Sequence, residues 1–218
     1  MANSRSVEDL LRAEYFRLLP DARRALLETE TRVRSALLDT SLALQPFERL
    51  VVTARIKECE NAINSLRRRQ PLGLFDSDQA AEYSLSALRD LAAVRVMAFP
   101  KRRVDETHGI LQSILAGWTS DPIPAVEESG VPLAYKYFGK WNSDAPITAE
   151  VQIVGLLIGL FWEVEHSAIY KPNPSLQGVR TDVVIQSRDD VLTALQRFEA
   201  EFANAMMASP RREETILR

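Results

Sequence analysis

The sequence predicts an α+β fold, with a small mixed β-sheet flanked by helices. Three observations lead there. Apolar residues recur at helical spacing through the first forty residues. From Ala93 onward, short β-like runs alternate with helical ones. A last amphipathic helix follows a polar, Pro-containing loop. Helices first, then strands mixed with helices, then a helix is an α+β order rather than a regular βαβ alternation.

Residues 6–42 read as helical. Ser6 is placed to cap, and Glu8 and Asp9 put negative charge in the first turn. Leu10, Leu11, Tyr15, Leu18 and Leu19 form the apolar stripe, Pro20-Asp21 is expected to interrupt it, and a second helix runs through Leu26, Val33, Leu37 and Leu38. Pro46 opens a segment that continues through RIKECENAINSLRRR. Leu88–Ala98 turns β-like at Ala93, and Val104–Trp118 is helical. Ile123–Gly130 is a loop. Tyr135–Trp141 and Thr148–Ile153 are two strands joined by Asn142-Ser143-Asp144, and an apolar helix over Ile153–Trp162 follows. Asn173-Pro174-Ser175 marks a loop. Asp189–Ala208 is an amphipathic helix with Val191, Leu192, Leu195, Phe198 and Phe202 inward.

Composition narrows the function classes. The chain has 218 residues, 46% of them hydrophobic, which is ample for a core. A net charge of −3 argues against bulk nucleic-acid binding. The single Cys59 excludes an internal disulfide and fits a reducing cytoplasm. With only His108 and His166 beside it, a His/Cys zinc site is not expected. The polar opening MANSRSVEDLL does not read as a secretory signal, and Ile153–Trp162 is too short to span a bilayer, so no membrane partner is expected. Neither a P-loop nor a GxGxxG fingerprint is present.

The chemistry concentrates in Glu150–Lys171, EVQIVGLLIGLFWEVEHSAIYK. Period-two alternation puts Glu150 and Gln152 on one face of a strand, and the apolar helix after it ends in Glu165, His166, Tyr170 and Lys171. Polar groups set in apolar sequence are costly unless paired or used. Asp90 precedes another strand, so two neighbouring strands could bring it and Glu150 to one Mg2+, with phosphate oxygens completing the shell. Arg95 lies inside that second strand and needs an anion, a carboxylate or an aromatic plane. Arg55 and Lys57 share a side if the chain there is extended, which suits a polyphosphate; an ordinary charged helix face is the other reading. Tyr135 and Lys136 begin the aromatic run AYKYFGKW, where Tyr135 either stacks on a base or packs with Tyr137.

Together RIK at 55–57, RDLAAVRV at 89–96, AYKY at 134–137, EVQI at 150–153 and EH…YK at 165–171 resemble the RelA/SpoT-type alarmone synthetase domain. The resemblance covers residues 45–185, and its flanking helices look like the small single-domain synthetases. It implies residues 1–44 as a helical extension, 45–208 as the synthetase domain and 209–218 as a disordered tail. It implies that pyrophosphate passes from ATP to the 3′-hydroxyl of GDP or GTP, giving (p)ppGpp and AMP. Asp90 and Glu150 would hold Mg2+ and carry catalysis. Arg55 and Arg95 would sandwich adenine, and Lys57 would bind the ATP phosphates. Tyr135, Lys136 and Gln152 would bind the acceptor, with Glu165 and His166 in support. A homo-oligomer is expected, and an antitoxin or regulatory partner is compatible with the resemblance. Some positions differ. The family's Gly-Tyr-Arg is Ala134-Tyr135-Lys136 here, its following His is Gly139, and the Arg-Thr after its Glu-x-Gln strand is Val154-Gly155. Most losses fall on phosphate contacts, especially of the acceptor. They leave open a toxin-like relative acting on the tRNA 3′ end, or a catalytically degenerate nucleotide-binding or assembly module.

Overall fold

A computed structural model describes residues 6–125, 132–165 and 187–208. His166, Tyr170, Lys171, the Asn173-Pro174-Ser175 loop and the 209–218 tail lie outside these residues, as does the end of the Ile123–Gly130 loop.

Helix α1 spans Val7–Ala36, capped by the Ser6 side chain, which accepts from the Asp9 N–H. Pro20 does not interrupt it, contrary to the sequence reading. Proline removes one backbone hydrogen bond. The helix offsets that loss by burying Leu11, Tyr15, Leu18, Ala22 and Val33 on either side of Pro20. Leu10, expected in the stripe, is exposed. The short α2 (Leu38–Leu42) follows.

β1 (Arg49–Ile56) is a full strand, and only α3 (Cys59–Arg67) takes the helical option read into RIKECENAINSLRRR. β2 is Ala92–Phe99. α4 is Lys101–Ile114, starting after Pro100 and ending before Trp118, earlier at both ends than its sequence reading. The two-residue β3 (Thr119–Ser120) leads to β4 (Ala134–Gly139), which ends two residues before Trp141. β5 (Ala149–Gly155) runs past Ile153, so the apolar helix α5 begins only at Leu156 and ends at Glu165. α6 is Arg188–Ala208. Of its expected inward residues, Leu192 is fully buried, whereas Val191 and Phe198 are exposed.

The five strands lie in the order β1-β2-β5-β4-β3. β2 and β5 are parallel; the other pairs are antiparallel. Residues paired across strands share a face, and successive residues alternate. One face carries Val94, Val96, Tyr137, Val151 and Ile153 and packs on α1 and α4. The other carries Met97, Ala134 and Val154 at one end, under α5 and α6. At its opposite end that second face carries Arg55, Arg95, Lys136, Glu150 and Gln152, and there it opens into a cavity.

Candidate active site

The cavity has a volume of about 530 Å3. Register builds its floor. Ala93 lies beside Glu150, Arg95 beside Gln152, and Lys136 beside Gln152 on the far side. Thr53 pairs with Arg95 and Arg55 with Ala93, so β1 adds its arginine to the same face. α5 closes one wall with Trp162, Glu163 and Glu165, and Arg188 at the start of α6 completes it.

The floor is held rigidly. Arg95 Nε donates to Gln152 Oε1 at 2.7 Å, and its Nη1 reaches Glu163 Oε1 at 3.5 Å. Burial lowers the Arg95 pKa from its ordinary value; Arg55 adds to the fall, and Glu163 and Glu150 oppose it. Glu165 Oε1 accepts from Arg188 Nε at 2.6 Å. The Arg55 and Lys136 side chains make no hydrogen bond or ion pair with another described residue, so both cations are available to an anion in the cavity.

Burial raises the Glu150 pKa; Lys136 opposes the rise and nearby Asp90 adds to it. Asp90 sits just before β2, paired with Lys57 Nζ through Oδ2. Lys57 also donates to Ser65 Oγ at 3.1 Å, in the second turn of α3. The other Asp90 oxygen, Oδ1, is buried and has no hydrogen-bond partner. An orphaned carboxylate oxygen beside a second, partly desolvated carboxylate is a donor set that fits a hard cation. No cluster of three or more His, Cys, Asp or Glu side chains forms a metal cage among the described residues. Two carboxylates alone suit Mg2+, which keeps waters and takes phosphate oxygens for the rest of its octahedron.

Arg55, Arg95, Lys136, Glu150, Gln152 and Glu165 therefore come together, with Asp90 and Lys57 beside them. Tyr135 does not. Strand alternation turns it to the opposite face, where its ring stacks on His108 at 3.6 Å between centroids. His108 Nε2 is also 2.7 Å from the Tyr137 hydroxyl, and burial lowers its pKa. Tyr135 and Tyr137 share a face and pack, which is the alternative the alternation allowed. The sequence reading passed over Trp162 and Glu163 as site residues. A Trp within an apolar run looks like core, and the local signal was the pair of glutamates that follow it at positions 163 and 165.

No protein-family profile matches the chain. No curated protein matches it either. Solved structures do. The small alarmone synthetase 1 from Bacillus subtilis bound to its product pppGpp superposes with a TM-score of 0.60 at 19% identity, over 90% of this chain and 100% of that one. This is the fold of the small alarmone synthetases. The same synthetase bound to AMPCPP matches at a TM-score of 0.58 and 17% identity, again over 90% and 100% of the two chains. A GTP pyrophosphokinase family protein from Streptococcus pneumoniae matches at 0.61 and 19%, over 90% and 98%. Each of these matches thus spans 90% of the chain. No helix among the described residues is long and apolar enough to cross a membrane.

Proposed function

We propose that the chain is a GTP pyrophosphokinase-like alarmone synthetase, moving pyrophosphate from ATP to the 3′-hydroxyl of GDP or GTP to give (p)ppGpp and AMP. One observation carries the reading. Within a synthetase fold, Glu150, Arg55, Arg95, Lys136 and Gln152 share one sheet face around a cavity of about 530 Å3. The neighbouring synthetase of this fold is solved with an ATP analogue and with pppGpp.

The roles follow from charge and position. Asp90 and Glu150 would hold Mg2+, which would supply charge neutralisation of the triphosphate. The acceptor hydroxyl oxygen bonds to the β-phosphorus of ATP, the bond from that phosphorus to the α-phosphate oxygen breaks, and AMP leaves. Glu150, its proton affinity raised by burial, takes the hydroxyl proton. Arg95, pinned by Gln152 and Glu163, presents a fixed guanidinium plane to adenine, with Arg55 on the neighbouring strand as its counterpart. Lys57 neutralises Asp90 until phosphate arrives, then serves the phosphates. Lys136 and Gln152 face the acceptor side. Most of the acceleration comes from positioning and charge.

The position of Tyr135 favours a second reading, transfer to the tRNA 3′ end, because the aromatic that the resemblance assigns to guanine lies on the wrong face. Incubation with γ-labelled ATP, Mg2+ and separate GDP, GTP and tRNA acceptors decides between them. Label on GDP or GTP with stoichiometric AMP is expected. Label on tRNA alone would establish the second reading, and nucleotide binding without AMP from any acceptor would leave a degenerate module.

A further inference from the structure

Strand register places one aromatic ring on the face of Glu150 that the roles above leave unused. Lys136 and Glu150 both line the cavity. Phe138 lies two residues beyond Lys136 on β4 and pairs with Glu150 across the β4–β5 ladder. Both relations turn its side chain to the face of Glu150, just past the residues that line the cavity. Tyr135 and Tyr137, on the alternate positions of β4, turn to the other face. Phe138 is only half-buried and belongs to none of the three apolar clusters of the core. Its ring carries a cation instead. The Arg89 guanidinium carbon lies 5.7 Å from the ring centroid. Arg89 is exposed, and its side chain makes no hydrogen bond or ion pair with another described residue. It directly precedes Asp90, whose Oδ1 has no partner. Phe138 thus stands next to one of the two carboxylates and Arg89 next to the other. A ring and a guanidinium plane, neither committed to the core or to a carboxylate, are two surfaces on which a nucleobase stacks.

We infer that Phe138 and Arg89 form the stacking platform for the base of the acceptor nucleotide, and this rests on the nucleotide-transfer reading above. Sheet order assigns the platform to the acceptor. Along β1-β2-β5-β4, Arg55 and Arg95 stand on the first two strands, Glu150 on the third and Phe138 on the fourth. The arginines proposed to hold ATP therefore lie on one side of Glu150, and Phe138 lies on the other. Displacement at phosphorus needs the entering hydroxyl on the side away from the leaving AMP, so the acceptor approaches from the β4 side. Lys136, on the same strand and face as Phe138, is the cation left for its phosphates. Phe138 takes the part that Tyr135, stacked on His108 behind the sheet, cannot take. Stacking reads the flat face of a base rather than its edge, so the platform holds a purine without itself selecting guanine.

Phe138→Leu keeps an apolar side chain and removes the ring. Equilibrium dialysis with Mg2+ is expected to show GDP binding weakened about tenfold and AMPCPP binding unchanged, with the fold checked by thermal melting. Phe138→Tyr keeps the ring and is expected to bind GDP as the parent does. Arg89→Gln, at an exposed position, is expected to weaken GDP binding about threefold. In turnover the same losses fall on KM for GDP or GTP, with KM for ATP unchanged. Weaker GDP binding in Phe138→Leu, restored in Phe138→Tyr, would uphold the platform even if no acceptor were labelled, so the inference and the synthetase reaction fail separately. Parental GDP affinity in folded Phe138→Leu would overturn the inference. If that variant does not fold, parental affinity in Arg89→Gln overturns it instead. So would an equal loss of AMPCPP binding, or failure of GDP to bind the parent.

Discussion

Two buried glutamates show how residue-level surroundings set opposite responses to pH. Glu199 on α6 is 1% exposed, and its Oε1 accepts from the Leu157 N–H at the start of α5 at 3.2 Å. Burial pushes its pKa up to about 7 from 4.5, with the Leu157 bond and Lys101 opposing. Its folded-state pKa is above the unfolded one, so the favourable contribution is complete below pH 4.5 and is lost as pH rises through 7. Glu199→Gln keeps the acceptor for Leu157 and removes the titration. At pH 8 the variant is expected to be more stable by about 3 kcal/mol, and at pH 4 equal to the parent, as measured by urea unfolding. Glu48 is the reverse case. Burial alone would raise it, but hydrogen bonds from Arg103, the Gln45 N–H and Arg102 hold it below its ordinary value. Its contribution is present above the unfolded value and fades as pH falls through the lowered one. Glu48→Ala leaves Arg103, only 12% exposed, with Glu106 as its remaining ion-pair partner, and should cost about 1–3 kcal/mol at pH 7. Tyr135 belongs at this scale too. Tyr135→Leu removes the stack on His108 and is expected to lower stability by about 1–2 kcal/mol while leaving KM for GDP unchanged.

At the scale of elements, two departures from the resemblance acquire a physical cause. A Cβ on Gly155 would lie 2.3 Å from Glu199 Oε2, so the glycine makes room for the carboxylate that caps α5. A Cβ on Gly139 would lie 2.3 Å from the Trp118 ring. Neither was legible in the sequence, because each depends on a partner distant in the chain. β1 was missed for a different reason. Leu50, Val52, Ala54 and Ile56 turn inward at every second position, but the apolar Val51 on the exposed face blurs that alternation in the sequence. The Asp90, Arg95, Glu150 and Gln152 set was legible, because strand alternation and fixed spacing are local properties. Trp162 was not, since an indole in an apolar run carries no mark of the cavity it faces. α1 gives a further expectation. Its interior Pro20 lacks an N–H and still lies within a continuous helix, so Pro20→Ala should add about 1–3 kcal/mol in thermal unfolding with transfer activity unchanged.

For the whole molecule, the sheet divides labour between its faces. One face is closed by α1 and α4 and carries the His108 stack. The other is sealed at one end by α5 and α6 and polar at the opposite end, where β1, β2, β4 and β5 each supply a charged or amide group. The order β1-β2-β5-β4-β3 makes this convergence, since it sets β2 and β5, the strands of Arg95 and Glu150, side by side and parallel. Glu150 occupies the middle of that arrangement, between Ala93 and Phe138 and within the fields of Asp90, Arg55, Arg95 and Lys136. The most direct test of the account compares parent and Glu150→Gln for AMP release coupled to labelling of a GDP or GTP acceptor by γ-labelled ATP and Mg2+, with folding of both checked by thermal melting. Loss of the carboxylate proposed to hold the metal and accept the proton predicts a fall of at least about a hundredfold in kcat at unchanged melting temperature. Transfer by Glu150→Gln at the parental rate would contradict it.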